Sequence, residues 1–272
     1  MEQPPQRLAV IVATKDHPAE LRRLLESLRA QSVLPHHVII VDGGEQQVDG
    51  LVSEFPELNV TYRRVYPPGL AKQQNAGVAA VDPSATVVGY LDDDIVLEAG
   101  ALEAMLAFWD QASPEVGGAG FNVVNNTRAP RAVWFKSFFF MDSPRRGVVL
   151  RSGYQTQIGA VSATRPVEWL NSGTTVWRKQ VLDAFRFDEW FTGPSHLHDV
   201  DLNYAISRRH TLMVVANARV REVAAEIVRQ RSEWMGEWQR KIGSNETPLC
   251  PYRVLWDLHN TVDRKNTIIT HD

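Results

Sequence analysis

The first hundred residues alternate short apolar runs with amphipathic segments, and this rhythm constrains the fold more than any other feature. Leu8–Ala13 and Val38–Val41 are continuous apolar runs, which are typical of strands buried on both faces of a sheet. The segment between them carries leucines at helical spacing, namely Leu21, Leu24, Leu25 and Leu28. A strand, a helix and a second strand in this order predict parallel strands with a right-handed crossover.

The same rhythm continues along the chain and defines the predicted fold class. Val60–Val65 and Thr86–Leu91 are further predicted strands, and Ala71–Val81 and Glu98–Trp109 are predicted helices. The stretch from residue 119 is less regular, and its last clear strand is Leu212–Ala216. We therefore predict an α/β domain with a doubly wound, mostly parallel sheet flanked by helices.

A C-terminal helical extension is predicted beyond this domain, so that the chain divides into residues 1–222 and 223–272. Within Glu222–Ile242 the apolar residues recur at near-helical spacing, and Trp234 and Trp238 lie one turn apart beside several cations. One interpretation is a helix packed over the sheet. The other is a helix that lies on an anionic membrane surface or forms a subunit contact.

Composition excludes several classes of protein. The chain has 29 Lys and Arg against 32 Asp and Glu, a formal charge of −3, which gives no electrostatic footprint for nucleic acid. No apolar stretch approaches the roughly 18 residues of a transmembrane helix, and the start lacks the cationic flank of a secretory signal. Cys250 is the single cysteine, which excludes an internal disulfide framework. We expect a cytoplasmic protein, with membrane association through the C-terminal helix left open.

Polar residues follow three of the predicted strands: Thr14, Asp42 and the run Asp92–Asp94. In doubly wound sheets ligands bind beyond these carboxyl ends. Three consecutive carboxylates repel one another and are costly unless they are solvated or bound to a cation. Mg²⁺ or Mn²⁺ is the natural partner, because both prefer oxygen ligands. The alternative is a solvated acidic loop that caps the next helix.

A second acidic segment, His198–Leu202, lies about a hundred residues further on. Asp199 would either cap the helix that follows or act as a general base. The loop before it contains Trp190, Phe191 and Gly193, which is unusually aromatic for a mere connection.

Five segments, taken in order, resemble the inverting family 2 glycosyltransferases of GT-A fold, and the resemblance covers about residues 8 to 222. They are Val10–Gly44, Gly69–Gly77, Tyr90–Asp94, Asn171–Arg178 and the pair Phe187–Glu189 with His198–Leu202. The resemblance makes residues 1–118 the donor half of the domain and residues 119–222 the acceptor half.

The resemblance also implies a role for individual residues. The donor-binding residues would be Thr14, Asp42, Lys72, Asn75, Asp92 and Asp93. Asp94 would be the direct metal ligand, with Asp92 beside it, and Asp199 would be the general base. Gly173 belongs to the acceptor-side segment, and Trp169 and Trp177 are candidates to stack on an acceptor sugar, although core packing is an equal alternative for both.

Three positions depart from the family pattern. Many members have Arg where this chain has Gln74, and many have Glu where it has His198. Many members also have a metal-site His after the last core strand, where this chain has Glu222. A carboxylate suits Mg²⁺ or Mn²⁺ as well as an imidazole does, so we predict that Glu222 takes that place.

The predicted function is a metal-dependent glycosyltransferase for a hexosyl or deoxyhexosyl group. The donor would be a UDP- or dTDP-sugar, and the acceptor a glycan or a lipid-linked molecule. Glycosyl transfer needs a metal for the leaving diphosphate and a carboxylate for the acceptor proton, and the chain offers both sets. The alternatives are a nucleotidyltransferase and a non-catalytic domain that binds sugar nucleotides.

Overall fold

The apolar runs of the first half form the parallel part of one sheet. The computed structural model of the chain describes residues 5–125, 143–191 and 198–223. Its first four strands are β1 (Leu8–Thr14), β2 (His37–Asp42), β3 (Val60–Arg64) and β4 (Val87–Leu91). They lie in the order β3-β2-β1-β4, and each pairing is parallel. The connections contain α1 (Pro18–Arg29), α2 (Asp49–Val52), a 3₁₀ turn (Pro56–Leu58) and α3 (Leu70–Val78).

The second half adds strands of both directions to the same sheet. Its elements are β5 (Ile95–Leu97), α4 (Ala101–Gln111), β6 (Val116–Val123), β7 (Arg165–Val167), β8 (Thr174–Arg178), α5 (Lys179–Ala184), α6 (His198–Ser207) and β9 (Thr211–Glu222). β8 lies between β4 and β6 and is antiparallel to both, whereas β9 is parallel to β6 and antiparallel to β5 and β7. Within the described residues, nine strands thus form one mixed sheet. The predicted α/β class with flanking helices is confirmed.

Helices cover both faces of this sheet, because side chains alternate along each buried strand. Val10 and Val12 of β1 belong to a core that includes the four leucines of α1, each 0% exposed. Ala9 and Ile11 belong to the opposite core, beneath α3. A Cβ at Gly77 of α3 would overlap the Ile11 side chain, so this glycine lets α3 lie directly on β1.

The strand β9 continues beyond the predicted end at Ala216. Its register against β6 shifts between Phe121 and Asn122, and the strand then runs on to Glu222. Glu222 is therefore the last residue of a strand and does not begin the predicted helix, because it pairs with Ile95 in the sheet.

The predicted C-terminal arm lies outside the described residues, apart from Val223. Its helix, with Trp234 and Trp238, therefore stays a prediction. In the part of the chain that the structure describes, every helix is too short or too polar to cross a bilayer.

Candidate active site

The carboxyl ends of β1, β2 and β4 lie along one edge of the sheet. Thr14, the last residue of β1, is opposite Asp42 in the parallel register. The Thr14 hydroxyl donates to Asp93 Oδ2 at 2.6 Å, and His17 Nδ1 lies 3.3 Å from the same oxygen. The Asp93 carboxylate therefore links β4 to β1. The strand order changes direction between these two strands, and doubly wound sheets bind their ligands at such a point.

Asp42 is fully buried, at 0% exposure, and is held by three groups. Its Oδ1 accepts the Gly44 N–H at 2.7 Å, and its Oδ2 accepts the Tyr62 hydroxyl at 2.7 Å. Arg64 Nη1 lies 3.9 Å from Oδ2. Burial, reinforced by the Asp42 carboxylate, raises the pKa of Tyr62, which keeps its hydroxyl a donor. Tyr62 and Arg64 are site residues that the sequence analysis missed, although their spacing of two in a predicted strand puts both on one face.

Gln73 is a second residue that the sequence analysis missed. It is 4% exposed, and its Nε2 donates to the carbonyl oxygens of Thr14 at 3.0 Å and Val41 at 2.8 Å. Its Oε1 accepts the Gly69 N–H at 3.3 Å. A single side chain of α3 thus fixes the ends of β1 and β2 to the start of α3. No sequence signal distinguishes it from an ordinary helical glutamine.

Asp92 and Asp94 lie in a concentration of negative charge. Burial, followed by the charges of Asp93 and Glu222, raises the pKa of Asp94 to about 6. Burial also raises the pKa of Asp92 well above its usual range, and the charges of Asp94, Asp93, Glu222 and Asp199 add to this. Among the described residues, neither carboxylate forms an ion pair with a Lys or Arg, and the charge of His17 offsets only part of the rise in the pKa of Asp94.

The fold brings Glu222 to this cluster from the far end of the domain. Glu222 is opposite Ile95, the residue that follows Asp94, in the antiparallel pair of β5 and β9. The Asn125 side chain brackets its backbone: Nδ2 donates to the Glu222 carbonyl at 2.7 Å, and Oδ1 accepts the Glu222 N–H at 3.0 Å. The strand end that carries Glu222 is therefore fixed next to Asp94.

The donor set of this cluster fits a divalent cation shared with a ligand. Within residues 5–125, 143–191 and 198–223, no three His, Cys, Asp or Glu side chains form a ready-made metal site. Mg²⁺ is commonly bound through only one or two carboxylates, with substrate phosphates and water completing its shell. Desolvated carboxylates with raised pKa values suit such a cation, because it removes their repulsion.

The turn before β8 lies between the two acidic regions. The Gly173 carbonyl accepts the Asp92 N–H at 2.9 Å, and a Cβ at Gly173 would overlap the Asp92 carboxylate. On the other side, the Ser172 backbone hydrogen-bonds the Asp199 carboxylate. Gly173 therefore makes room for Asp92, and its predicted contact with an acceptor stays a prediction.

Asp199 is the second residue of α6, and its surroundings suit a proton acceptor. The Val200 N–H donates to its Oδ1 at 2.8 Å. Burial raises the pKa of Asp199, an effect that the neighbouring His198 and the backbone N–H groups partly offset. A carboxyl group with a raised pKa accepts a proton more readily near neutral pH, which is the property that a general base requires.

Lys72 and Asn75 of α3, which are predicted to contact the donor, lie in different environments. Lys72 is half-buried in the first turn of the helix. The Asn75 amide is committed to the protein: Nδ2 donates to the Phe187 carbonyl at 2.9 Å and to Glu189 Oε1 at 3.0 Å. Its Oδ1 accepts the Phe187 N–H at 3.1 Å. Both N–H donors of Asn75 are therefore used, which leaves none for the predicted donor contact.

The two tryptophans predicted on the acceptor side lie in different environments. Trp177 is 1% exposed, and its Nε1 donates to Thr175 Oγ1 at 2.9 Å. Its indole packs against Gly118 in the core and offers no face to an acceptor, contrary to the prediction. Trp169 is half-buried, and its Nε1 donates to the Thr156 carbonyl at 2.9 Å. Trp169 lines a hollow together with Gly120, Phe121, Leu170, Asn171, Thr174 and Val214.

Comparison with known proteins gives one family and many similar folds. The family model described as Glycosyl transferase family 2 matches residues 9–165. No curated protein sequence matches the chain.

Several solved structures resemble the chain at low sequence identity. S. aureus TarS 1–349 in complex with UDP is 17% identical, with a TM-score of 0.55 over 78% of this chain and 58% of TarS 1–349. The same protein in complex with UDP-GlcNAc gives 19%, a TM-score of 0.52, and 78% and 56% coverage. GalNAc-T7 with UDP, GalNAc and Mn²⁺ is 12% identical, with a TM-score of 0.59 over 81% of this chain and 44% of that protein. At these identities the likeness concerns the fold, and this chain spans less than two thirds of each neighbour.

Proposed function

Because the chain belongs to glycosyl transferase family 2, we propose that it transfers a sugar from a nucleoside-diphosphate sugar to a hydroxyl group of a glycan or lipid-linked acceptor. The anomeric carbon is inverted in this reaction. The observation that carries the proposal is the division of the half-buried carboxylates into two sets on either side of the 171–173 turn. One set is Asp92 and Asp94 with Glu222, and the other is Asp199.

The donor is a UDP- or dTDP-sugar bound across the carboxyl ends of β1, β2 and β4. Asp42 and Thr14 form the buried floor of the nucleoside site, and Lys72 contributes a cation near the phosphates. Tyr62 and Arg64 hold the Asp42 carboxylate in a fixed direction, which favours a specific nucleoside contact over a general attraction. The UDP and UDP-GlcNAc complexes of the structurally similar TarS support this donor class.

A divalent cation, Mn²⁺ or Mg²⁺, would be held by Asp94 with Asp92 and Glu222 beside it. When bound, it supplies positive charge that stabilises the leaving diphosphate. The raised pKa values of Asp92 and Asp94 support this assignment, because a cation relieves the repulsion that causes part of the shift. The Mn²⁺ complex of the structurally similar GalNAc-T7 also supports it.

Asp199 accepts the proton of the acceptor hydroxyl. The hydroxyl oxygen then forms a bond to the anomeric carbon as the bond from that carbon to the diphosphate oxygen breaks. Attack on the face opposite to the leaving group inverts the configuration. Burial and the backbone N–H of Val200 hold the carboxylate ready for this role.

Turnover with a panel of donors tests this proposal. The protein is incubated with UDP-glucose, UDP-galactose, UDP-GlcNAc, UDP-GalNAc and dTDP-rhamnose, each with Mn²⁺ or with EDTA, and the products are separated. Metal-dependent release of nucleoside diphosphate is expected with at least one donor. Release of pyrophosphate from a nucleoside triphosphate and a sugar phosphate would indicate a nucleotidyltransferase instead. UDP binding without any turnover would indicate a binding domain.

The C-terminal arm is the proposed membrane-docking element for a lipid-linked acceptor. Its predicted helix carries Trp234 and Trp238, which favour the bilayer interface, and arginines that favour anionic headgroups. We expect the whole chain to co-sediment with phosphatidylglycerol vesicles at low salt and not with neutral vesicles. Absence of co-sedimentation would contradict docking, and light scattering then distinguishes a subunit contact from a helix packed on its own domain.

A further inference from the structure

The two departures from the family pattern near Asp199 contact each other. Gln74 of α3 and His198 of α6 are 124 residues apart, and Gln74 Oε1 lies 3.0 Å from His198 Nε2. Both residues are buried, with exposures of 2% and 4%. A Gln at position 74 therefore does more than remove a cation from the donor side, because its amide is paired with the residue that precedes Asp199.

The His198 ring is also held from another side. Its centroid lies 4.9 Å from that of Phe187, and the Phe187 ring meets Tyr90 of β4 edge-on at 5.4 Å. The backbone of Phe187 is in turn bonded to Asn75, the residue after Gln74. The dipeptide Gln74–Asn75 thus fixes two segments, one on each side of residues 192–197.

The opposite side of α6 has an anchor of its own. Asn203 Nδ2 donates to the Asp199 carbonyl at 2.5 Å and to the Leu170 carbonyl at 3.0 Å, and Asn203 Oδ1 accepts the Leu170 N–H at 3.1 Å. Asp199 therefore lies between a bond to α3 and a bond to the segment before β8. The backbone at the start of α6 is thus anchored from both sides, and the Asp199 carboxylate is bonded by the Val200 N–H and the Ser172 backbone beside these anchors.

We propose that Gln74 and His198 are positioning residues, whose hydrogen bond joins the donor-side helix α3 to the start of α6 and so sets the Asp199 carboxylate. Neither residue contacts substrate in this proposal. It rests on the proposed function, in which Asp199 is the base. Loss of this hydrogen bond should lower kcat and leave the affinity for the donor unchanged. Small displacements of a reacting group lower rates by up to about a hundredfold.

Three variants test this role: Gln74→Met, which keeps the shape of the side chain, His198→Phe, which keeps the ring, and the double variant. Gln31→Met is the matched control, because Gln31 is 7% exposed and hydrogen-bonds carbonyls on the α1–α4 side of the sheet. Both single variants should lower kcat for release of UDP from the best UDP-sugar by about tenfold to a hundredfold. The dissociation constant of UDP with Mn²⁺ should stay within about twofold of the wild-type value.

Non-additivity is the decisive feature. If the two side chains act as one unit, the double variant should have the kcat of His198→Phe alone. A double variant whose loss equals the product of the two single losses would overturn the proposal. So would unchanged turnover in Gln74→Met, or a tenfold loss of UDP affinity, which would make Gln74 a donor contact.

A measurement without substrate separates this proposal from the proposed function. Amide hydrogen exchange of residues 198–203 should be about tenfold faster in Gln74→Met than in the wild type, because local opening becomes easier. Exchange of the same residues should not change in Gln31→Met. If no nucleotide sugar is turned over, the proposed function fails, and unchanged exchange in Gln74→Met would still overturn the positioning role by itself.

Discussion

The donor edge of the sheet and the region around Asp199 are built in different ways. At the proposed donor edge, Thr14 and Asp42 end buried strands, Asp92–Asp94 directly follow a third one, and the parallel register brings these strand ends together. Asp199 instead depends on contacts between segments far apart in the chain, through His198 to Gln74 and through Asn203 to Leu170. The first arrangement follows from the strand pattern, whereas the second exists only once the domain is folded.

In the proposed function, this structural difference separates donor binding from proton transfer within one site. In this proposal, the strand ends form the donor-binding platform, and a bound cation would relieve the repulsion between their carboxylates. In the same proposal, the first turn of α6 supplies one carboxylate that is held by its neighbours and acts on the platform only through its charge. Changes in the two regions should therefore have separable effects on binding and turnover.

The largest expected effect is on turnover, from a change on the base side. Asp199→Asn should lower kcat by two or more orders of magnitude, the scale of a lost general base, while UDP affinity stays unchanged. The control is Asp201→Asn, which changes a less buried carboxylate two residues away and should keep most activity. A normal rate in Asp199→Asn with a loss in Asp201→Asn would move the base to Asp201.

The next effect concerns the turn that separates the two carboxylate sets. Gly173→Ala would drive a Cβ into the Asp92 carboxylate, which should weaken Mn²⁺-dependent UDP binding and destabilise the protein by about 1–3 kcal/mol. The matched control is Gly50→Ala, because a Cβ at Gly50 meets no atom within 4 Å. That change should leave binding intact. UDP affinity at the wild-type level in Gly173→Ala would show that Asp92 is not needed in its present position.

A smaller effect is expected at the far end of β9. Glu222→Gln removes one of the charges beside Asp94 and should weaken Mn²⁺ binding several-fold, without unfolding the domain. Glu103→Gln, on the surface of α4, is the control for loss of one negative charge. Identical Mn²⁺ titrations for the wild type and Glu222→Gln would show that Glu222 only ends the strand.

The smallest effect is on the stability of the metal-free protein. The pKa of Asp94 is raised from its ordinary value of 3.8 to about 6, so between these values the folded state holds a proton that the unfolded state has lost. This group therefore stabilises the fold less as pH rises through that window. In EDTA, the difference in Tm between Asp94→Asn and the wild type should shift by about 2–4 °C in favour of the variant as pH rises from about 4.5 to about 7. A constant difference in Tm across this range would contradict the charge repulsion assigned to Asp94.

The sequence predicts the strand ends well, because each depends on a local pattern. The apolar runs before Thr14, Asp42 and Asp92 identify buried strands, and their parallel pairing follows from the helices between them. The family resemblance then supplied roles that the pattern alone left open, and these roles stay predictions.

The remainder of the site could not be predicted, for identifiable physical reasons. The irregular register of β9 interrupts its alternation near Ala216, which hides the strand that ends at Glu222. The positions of Gln73, Gln74 and Asn75 look alike in sequence, yet one fixes strand ends, one pairs with His198 and one binds Phe187. Trp177 lies in the core because Gly118 leaves space for its ring, a complementarity visible only in the folded domain.

Calorimetric titration of UDP in the presence of Mn²⁺ tests the central claim most directly, when Asp94→Asn and Asp199→Asn are compared under identical conditions. The claim is that the two carboxylate sets divide donor binding from proton transfer. We predict that Asp94→Asn loses Mn²⁺-dependent UDP binding, whereas Asp199→Asn binds UDP as the wild type does. Equal affinities in the two variants, whether both retained or both lost, would contradict the division.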